Sequence, residues 1–149
     1  MKVGDVMTRG VEPISPEATI QHAAICMAEQ DVGALLVGSQ EAVEGIITDR
    51  DILLRVVVEG RSPKRVRVRD AMSSTLFTCR EDDPVERAFA ELSEHQIRRL
   101  PVLDGDGRLV GIVTLGDLAK RERDPHGALE ALRSISEPHR GHSVRDPRR

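Results

Sequence analysis

The sequence has no tryptophan and no tyrosine, and only two of its 149 residues are phenylalanine. The aromatic rings on which nucleic-acid bases usually stack are therefore nearly absent, so a base bound by this chain would have to lie between aliphatic side chains. The formal net charge of −3 opposes binding of nucleic acid through phosphate neutralisation. Apolar runs are only a few residues long, so the sequence predicts no membrane span.

Targeting and catalytic signals are also missing. No apolar signal region follows Met1, so we expect a cytoplasmic protein. The two cysteines, Cys26 and Cys79, lie far apart within apolar patterns, which is typical of buried hydrophobic positions rather than of a disulfide or a nucleophile. The only close histidine pair, His139 and His142, has no cysteine or carboxylate set beside it. The sequence therefore predicts no metal site and no enzyme.

The chain does contain an internal repeat. The stretch from Gly45 to Asp51 (GIITDRD) returns as 111–117 (GIVTLGD), and Val3 to Met7 (VGDVM) returns as 68–72 (VRDAM). Apolar and small positions agree between the copies while surface positions differ, as expected for a duplicated core. We predict a first repeat over 1–60, a basic linker over 61–67, a second repeat over 68–123, and a short helix with a mobile polar tail over 124–149.

Hydrophobic periodicity and turn residues predict the same elements in each repeat. In the first repeat they are a helical turn at 3–7, an extended piece at 11–14, a helix opened by Ser15-Pro16-Glu17, strands at 34–37 and 43–48, and a helix at 49–58. In the second repeat they are a helix opened by Asp83-Pro84, strands at 100–103 and 109–114, and a helix at 117–123. An amphipathic helix around Leu129, Leu132 and Ile135 follows.

The repeated motif combines a strand end, a threonine and an aspartate at the start of a helix. Free N–H groups and a partial positive charge at such a junction attract anions, so two equivalent junctions indicate two related nucleotide or anion sites. Thr-x-x-Asp is also a helix-capping pattern, and that structural interpretation remains open for either copy taken alone.

Each copy, read as strand–helix–strand–strand–helix and ending in Gly-x-x-Thr-x-x-Asp, resembles a cystathionine-β-synthase (CBS) domain. Two copies in tandem resemble the CBS pair, or Bateman module. The second copy also has Arg99 before Leu-Pro-Val, similar to a family signature. The resemblance covers about Val3 to Arg123 and leaves no room for a catalytic domain. It implies an α/β fold, with two repeats packed about a pseudo-twofold axis.

The resemblance also implies a function. Such modules are non-catalytic ligand or energy sensors that bind AMP, ADP, ATP or S-adenosylmethionine in clefts between the repeats. They commonly form flat homodimers, and a protein target, unidentified here, would read the ligand state. No cofactor beyond the adenosine-containing ligand is expected. The alternative is a structural or nucleic-acid-associated regulator without a nucleotide, supported only by the basic linker and the arginine-rich tail.

Site residues follow from the same resemblance. Asp51 and Asp117 match the aspartate that accepts hydrogen bonds from the ribose hydroxyls, and Thr48 and Thr114 match the adjacent hydroxyl residue. The remaining candidates are the helix-start residues whose N–H groups would face phosphate, the phosphate-contacting arginines, the first-strand residues that hold adenine, and the apolar walls: Asp49, Leu115, Arg50, Arg99, Pro13, Ile14, Thr78, Cys79, Ala34, Leu36, Ile46, Pro101 and Ile112. Residues like the apolar members are more often plain core than ligand contacts.

The two copies differ in charge at this motif. Asp49 and Glu44 add negative charge near the first site, which works against a polyphosphate. Arg50 is matched by Gly116 in the second copy, and Arg99 is matched by Ala34 in the first. We therefore expect two unequal sites.

Overall fold

The computed structural model describes residues 1–121 and 125–137. The polar tail predicted from residue 137 and the end of the helix predicted at 117–123 fall largely outside the described residues. Within those residues, no helix is both long and apolar enough to cross a membrane. The regular elements in chain order are β1 (Thr8–Arg9), α1 (Ile20–Gln30), β2 (Ala34–Gly38), β3 (Val43–Thr48), α2 (Asp49–Ile52), β4 (Cys79–Arg80), α3 (Val85–His95), β5 (Arg99–Leu103), β6 (Leu109–Thr114), α4 (Leu115–Arg121) and α5 (Pro125–Ser136).

The chain forms two compact units. The first-repeat unit comprises Glu12–Leu76, and the second-repeat unit comprises Met1–Val11 together with the chain from Phe77 onward. The prediction of a mixed α/β fold made of two tandem repeats is confirmed. The first eleven residues, however, pack with the second repeat, a long-range exchange that no local pattern reveals.

The segment that begins each repeat in the chain is hydrogen-bonded to the other repeat. Val3 N–H donates to the Asp83 carbonyl at 2.9 Å, in front of α3. In the same way, Val68 N–H donates to the Ala18 carbonyl at 2.8 Å, in front of α1. The basic linker is bound to the start of α1 as well, because the carbonyls of Val66 and Pro63 accept hydrogen bonds from Ile20 and Gln21 N–H, and Val66 is buried.

This pairing explains a wrong prediction for α1. The helix does not open at Ser15-Pro16-Glu17 but at Ile20, with Thr19 as its cap. Pro16 and Glu17 form a turn, and the carbonyls of Pro16 and Ala18 accept hydrogen bonds from the N–H groups of residues 69 and 68. The Ile20 N–H, which a helix begun at Pro16 would direct to the Pro16 carbonyl, donates instead to the Val66 carbonyl of the linker. Backbone groups used this way are unavailable to a helical turn.

The sheets repeat the same hairpin. β2 pairs antiparallel with β3 in the first-repeat unit, and β5 pairs antiparallel with β6 in the second. β4 and β1 flank the second hairpin, giving the order β1-β6-β5-β4. Isolated bridges at Ile14 and Ser73 occupy the corresponding flanks of the first hairpin. The strands predicted at 43–48 and 109–114 have the predicted bounds.

The motif glycines permit these flanking contacts. A Cβ on Gly111 would lie 2.6 Å from the Thr8 carbonyl oxygen of β1. A Cβ on Gly45 would collide with the Ser73 carbonyl oxygen in the equivalent place. Side chains at these two positions would separate the backbones, which explains why each motif begins with glycine.

Helices cover one face of each hairpin. Ile20, Ala23 and Ile47 are fully buried in the first-repeat core, as Leu92, Leu100 and Leu118 are in the second. In the second-repeat unit α5 packs on α3 and α4, where Ala131 and Ile135 are buried. α2 keeps only one α-helical turn before it widens into a π-helical segment over Leu53–Val57.

Candidate functional site

Each threonine–aspartate pair forms a reciprocal helix cap. Thr48 N–H donates to Asp51 Oδ2 at 2.9 Å, and Asp51 N–H donates to Thr48 Oγ1 at 3.1 Å. The Thr114–Asp117 pair makes the same two bonds at 3.0 and 3.1 Å. The capping interpretation is therefore confirmed. The other carboxylate oxygen, Oδ1, of Asp51 and Asp117 accepts no hydrogen bond from the described residues.

The first hairpin places four of the predicted site residues on one face. Ala34 pairs with Thr48, and Leu36 pairs with Ile46. Because side chains alternate along a strand, these four residues lie opposite to Ile47, which is buried in the helix-covered core. Leu36 is itself buried, while the other three are half-buried.

The second hairpin has the same arrangement with one chemical difference. Arg99 pairs with Thr114, and Pro101 pairs with Ile112. The half-buried Arg99 thus takes the place of Ala34, beside the threonine of its own repeat. Within residues 1–121 and 125–137 its side chain makes no hydrogen bond or ion pair. A cation next to Thr114 suits an anionic ligand.

One detail predicted from the resemblance is wrong. The N–H groups of Asp49 and Leu115 do not face outward to a phosphate. Asp49 N–H donates to the Gly33 carbonyl and Leu115 N–H donates to the Arg98 carbonyl, both at 2.9 Å. These carbonyls precede β2 and β5, about 16 residues before the helix starts that donate to them, so local sequence patterns did not reveal these hydrogen bonds.

The next N–H group distinguishes the two repeats. Arg50 N–H donates to Asp49 Oδ1 at 2.8 Å. In the second repeat Leu115 has no side-chain oxygen, and the Gly116 N–H donates to no acceptor among the described residues. The predicted site residue Arg50 is exposed, as is Asp49. The Asp49 carboxylate therefore accepts from the Arg50 N–H in the first repeat, while the equivalent Gly116 N–H is free within the described residues of the second repeat.

Among the predicted adenine-holding residues before and in the first strands, some backbone groups are already hydrogen-bonded within the fold. Ile14 N–H donates to the Leu36 carbonyl at 2.8 Å, and the Ile14 carbonyl accepts from Gly38 N–H at 2.9 Å. Both backbone groups of Ile14 are therefore used. Pro13 and Thr78 are half-buried, and neither residue takes part in a backbone hydrogen bond within the described residues.

Cys79 is a buried structural thiol in β4. Its Sγ lies 3.9 Å from the Pro101 carbonyl oxygen. Burial, with smaller contributions from Asp83 and Glu91, raises the pKa of the Cys79 thiol to about 12. The thiol therefore stays protonated near neutral pH, which suits packing rather than nucleophilic chemistry.

Metal ligation finds no support in the part of the chain described. No group of three or more histidine, cysteine or carboxylate side chains there is arranged to hold an ion. The predicted histidine pair at 139 and 142 lies outside the described residues. Two arginines where the linker meets the second repeat contact Glu17: Arg67 donates to its carbonyl, and Arg69 Nη2 is 2.7 Å from its Oε1.

Comparison with known proteins agrees with the duplicated architecture. The CBS domain family matches the chain twice, over residues 3–58 and 68–124. The CBS domain-containing protein YhcV of Bacillus subtilis is 42% identical over 134 residues, covering 90% of this chain and 94% of YhcV.

Solved structures show the same likeness. The CBS domain protein TA0289 of Thermoplasma acidophilum superposes with a TM-score of 0.77 at 28% identity, covering 90% of this chain and 75% of that one. A hexameric CBS-CP12 protein from bloom-forming cyanobacteria superposes with a TM-score of 0.70 at 29% identity, covering 82% and 68%.

The fold and the paired motifs define an α/β module of two tandem repeats. The chain belongs to the CBS domain family. Paired CBS domains are in general regulatory and bind adenosine compounds, and proteins made of them alone are in general non-catalytic.

Proposed function

We propose that the protein is a non-catalytic sensor that binds adenosine-containing ligands at its two Thr-x-x-Asp motifs. The observation that carries this proposal is the unused Oδ1 of Asp51 and Asp117, held in place by the helix cap. The 2′- and 3′-hydroxyls of a ribose are two adjacent donors, and an ionised carboxylate provides acceptor sites for both. The capping bonds orient the carboxylate before the ligand arrives, which lowers the entropic cost of binding.

The apolar residues beside each motif would hold the base. Ala34, Leu36 and Ile46 lie on the Thr48 face of the first hairpin, and Pro101 and Ile112 lie on the Thr114 face of the second. Since the chain has no tryptophan or tyrosine, contact with the adenine ring would come from aliphatic groups, which lose water when the base binds. Ligand identity among AMP, ADP, ATP and S-adenosylmethionine stays a prediction.

Binding would regulate by favouring one arrangement of the protein over another, because a ligand shifts an equilibrium only through its differential affinity. A homodimer is part of the proposal, and the hexameric state of the similar cyanobacterial protein supports self-association in general. Exposed Leu53 and Val57 on the continuation of α2 offer apolar surface for association. The nucleic-acid alternative rests on the exposed Arg61, Lys64 and Arg65 of the linker, since Arg67 and the following Arg69 contact Glu17.

The test begins with the ultraviolet spectrum of the purified protein. Without tryptophan and tyrosine the protein absorbs weakly near 280 nm, so a bound adenine would dominate near 260 nm. Calorimetric titration with AMP, ATP and S-adenosylmethionine then measures affinity. We expect Asp51→Ala and Asp117→Ala each to remove one binding event. Absence of binding to the unsubstituted protein, or unchanged binding in both variants, would contradict the proposal.

A matched control variant is Glu59→Ala. Glu59 is exposed, follows the π-helical segment and carries the same charge as Asp51, but lies outside both motifs. We expect it to leave both binding events unchanged. Thermal unfolding of each aspartate variant separates loss of the ligand contact from loss of the helix cap, which costs about 1 kcal/mol.

A further inference from the structure

We infer that Asp49 makes the first-repeat site select against phosphate, so that this site accepts adenosine compounds that are uncharged or positively charged at the ribose 5′ position. The inference rests on the proposed function and deepens it by assigning different ligand classes to the two repeats. It concerns the first-repeat unit, where the described contacts show how the selection would work.

The first step is the occupation of donors. Asp49 N–H is bound to the Gly33 carbonyl, Arg50 N–H to Asp49 Oδ1, and Asp51 N–H to Thr48 Oγ1. Every N–H group of the first three residues after the threonine therefore has an acceptor from the protein. A phosphate next to Thr48 would find no free backbone donor there, and anion binding at such positions depends on those donors.

The second step is the fixed position of the carboxylate. A Cβ built on Gly33 would lie 3.0 Å from Asp49 Oδ2, so the carboxylate rests against a residue that has no side chain. In the second repeat Arg98 stands where Gly33 stands, and Leu115 stands where Asp49 stands. Within this one chain, the acidic residue and the glycine that makes room for it occur together in one repeat and are both absent from the other.

The third step is the charge that a phosphate would meet. Asp49 makes no ion pair within the described residues. The neighbouring Arg50 is the one cation of this motif; its side chain is exposed and is not paired with the Asp49 carboxylate. Ala34 supplies no cation opposite Thr48, whereas Arg99 lies opposite Thr114. Two like charges a few ångströms apart repel each other. A 5′-phosphate is therefore disfavoured next to Asp49, while a neutral or cationic group is not.

The experiment isolates the first-repeat site in an Asp117→Asn background and titrates it with adenosine and with AMP. We expect AMP to bind at least about tenfold more weakly than adenosine, a difference of about 1.4 kcal/mol, which lies within the range of repulsion between two exposed charges a few ångströms apart. Adding Asp49→Ala should remove that difference by strengthening AMP binding about tenfold, with adenosine changed less than about twofold. The gain should shrink as salt is added, because salt screens exposed charges.

A matched control is Glu59→Gln, which removes one negative charge from the same unit outside the motif. If it strengthens AMP binding as much as Asp49→Ala does, net charge rather than Asp49 is responsible and the inference fails. Unchanged AMP affinity in Asp49→Ala, with adenosine still bound, also overturns the inference but leaves the proposed function standing. If neither adenosine nor AMP binds before Asp49 is changed, the proposed function itself fails.

Discussion

The starts of α2 and α4 share the same helix cap but differ in the residues around it. Both are capped by a threonine–aspartate pair with nearly identical distances. In the first repeat the carboxylate of Asp49 closes the remaining N–H donor, and in the second Gly116 leaves it open beside Arg99. Both repeats thus keep the helix cap, while the two residues between the threonine and the aspartate differ in charge. In the proposed function, that difference determines which ligand each site binds.

The two units also differ in whether a further helix packs on their helices. α5 buries Ala131 and Ile135 against α3 and α4 of the second repeat. The first-repeat unit contains no such helix, and Leu53 and Val57 on the continuation of α2 are more than half exposed. The second repeat is therefore covered by an additional helix of its own chain, whereas the first repeat leaves these apolar side chains exposed.

Cysteine reactivity gives the largest expected contrast between the units. Because burial raises the Cys79 pKa to about 12, its thiolate fraction at pH 8 is about one in ten thousand. We expect Cys79, measured in a Cys26→Ser variant, to react with a disulfide reagent at least about a hundredfold more slowly than half-buried Cys26 in Cys79→Ser. Raising the pH toward 12 should speed the Cys79 reaction. Equal rates in the folded protein would contradict the burial of β4, and urea should abolish the difference.

Substitution of the motif glycines should give the next largest effect. Gly111→Val places a side chain against the Thr8 carbonyl and the Met7 side chain, so we expect the free energy of unfolding to fall by about 3 kcal/mol or more. Gly45→Val should act similarly through Ser73. Urea denaturation followed by circular dichroism measures the change. Gly105→Ala is the control, because nothing lies within 4 Å of the added Cβ, and a large loss there would undermine the comparison.

Truncation on α5 tests the covered helix face and should have a smaller effect. Ile135→Ala removes a buried side chain and should cost about 2–3 kcal/mol. Leu132→Ala on the same helix, with Leu132 46% exposed, should cost less than about 0.5 kcal/mol. Hydrogen exchange would show whether the loss is confined to the second-repeat unit. Similar costs for both variants would mean that α5 is not packed as described.

Local pattern was sufficient for the elements that depend on near neighbours. The strands ending at Thr48 and Thr114 and the cap at each helix start follow from alternation and from Thr-x-x-Asp, both short-range signals. The late start of α1 at Ile20 was not predictable this way, because the linker competes for the backbone before it.

The site was predictable in composition but not in its hydrogen bonds. The pairing of Ala34 with Thr48 and of Arg99 with Thr114 follows once the hairpins are known. The hydrogen bond from Asp49 N–H to the Gly33 carbonyl joins the start of α2 to the residue before β2, so no local spacing in the sequence predicts it. The identity of residue 33 does not predict it either, because Arg98 accepts the same bond in the second repeat.

Ligand counting in the unsubstituted protein tests the central claim most directly. In equilibrium dialysis against adenosine and, separately, AMP, the account predicts two adenosine sites per chain. For AMP it predicts one stronger and one weaker site, separated by at least about tenfold in affinity. Two equal AMP sites would contradict the unequal chemistry of the repeats, and binding of neither compound would contradict the assignment of Asp51 and Asp117.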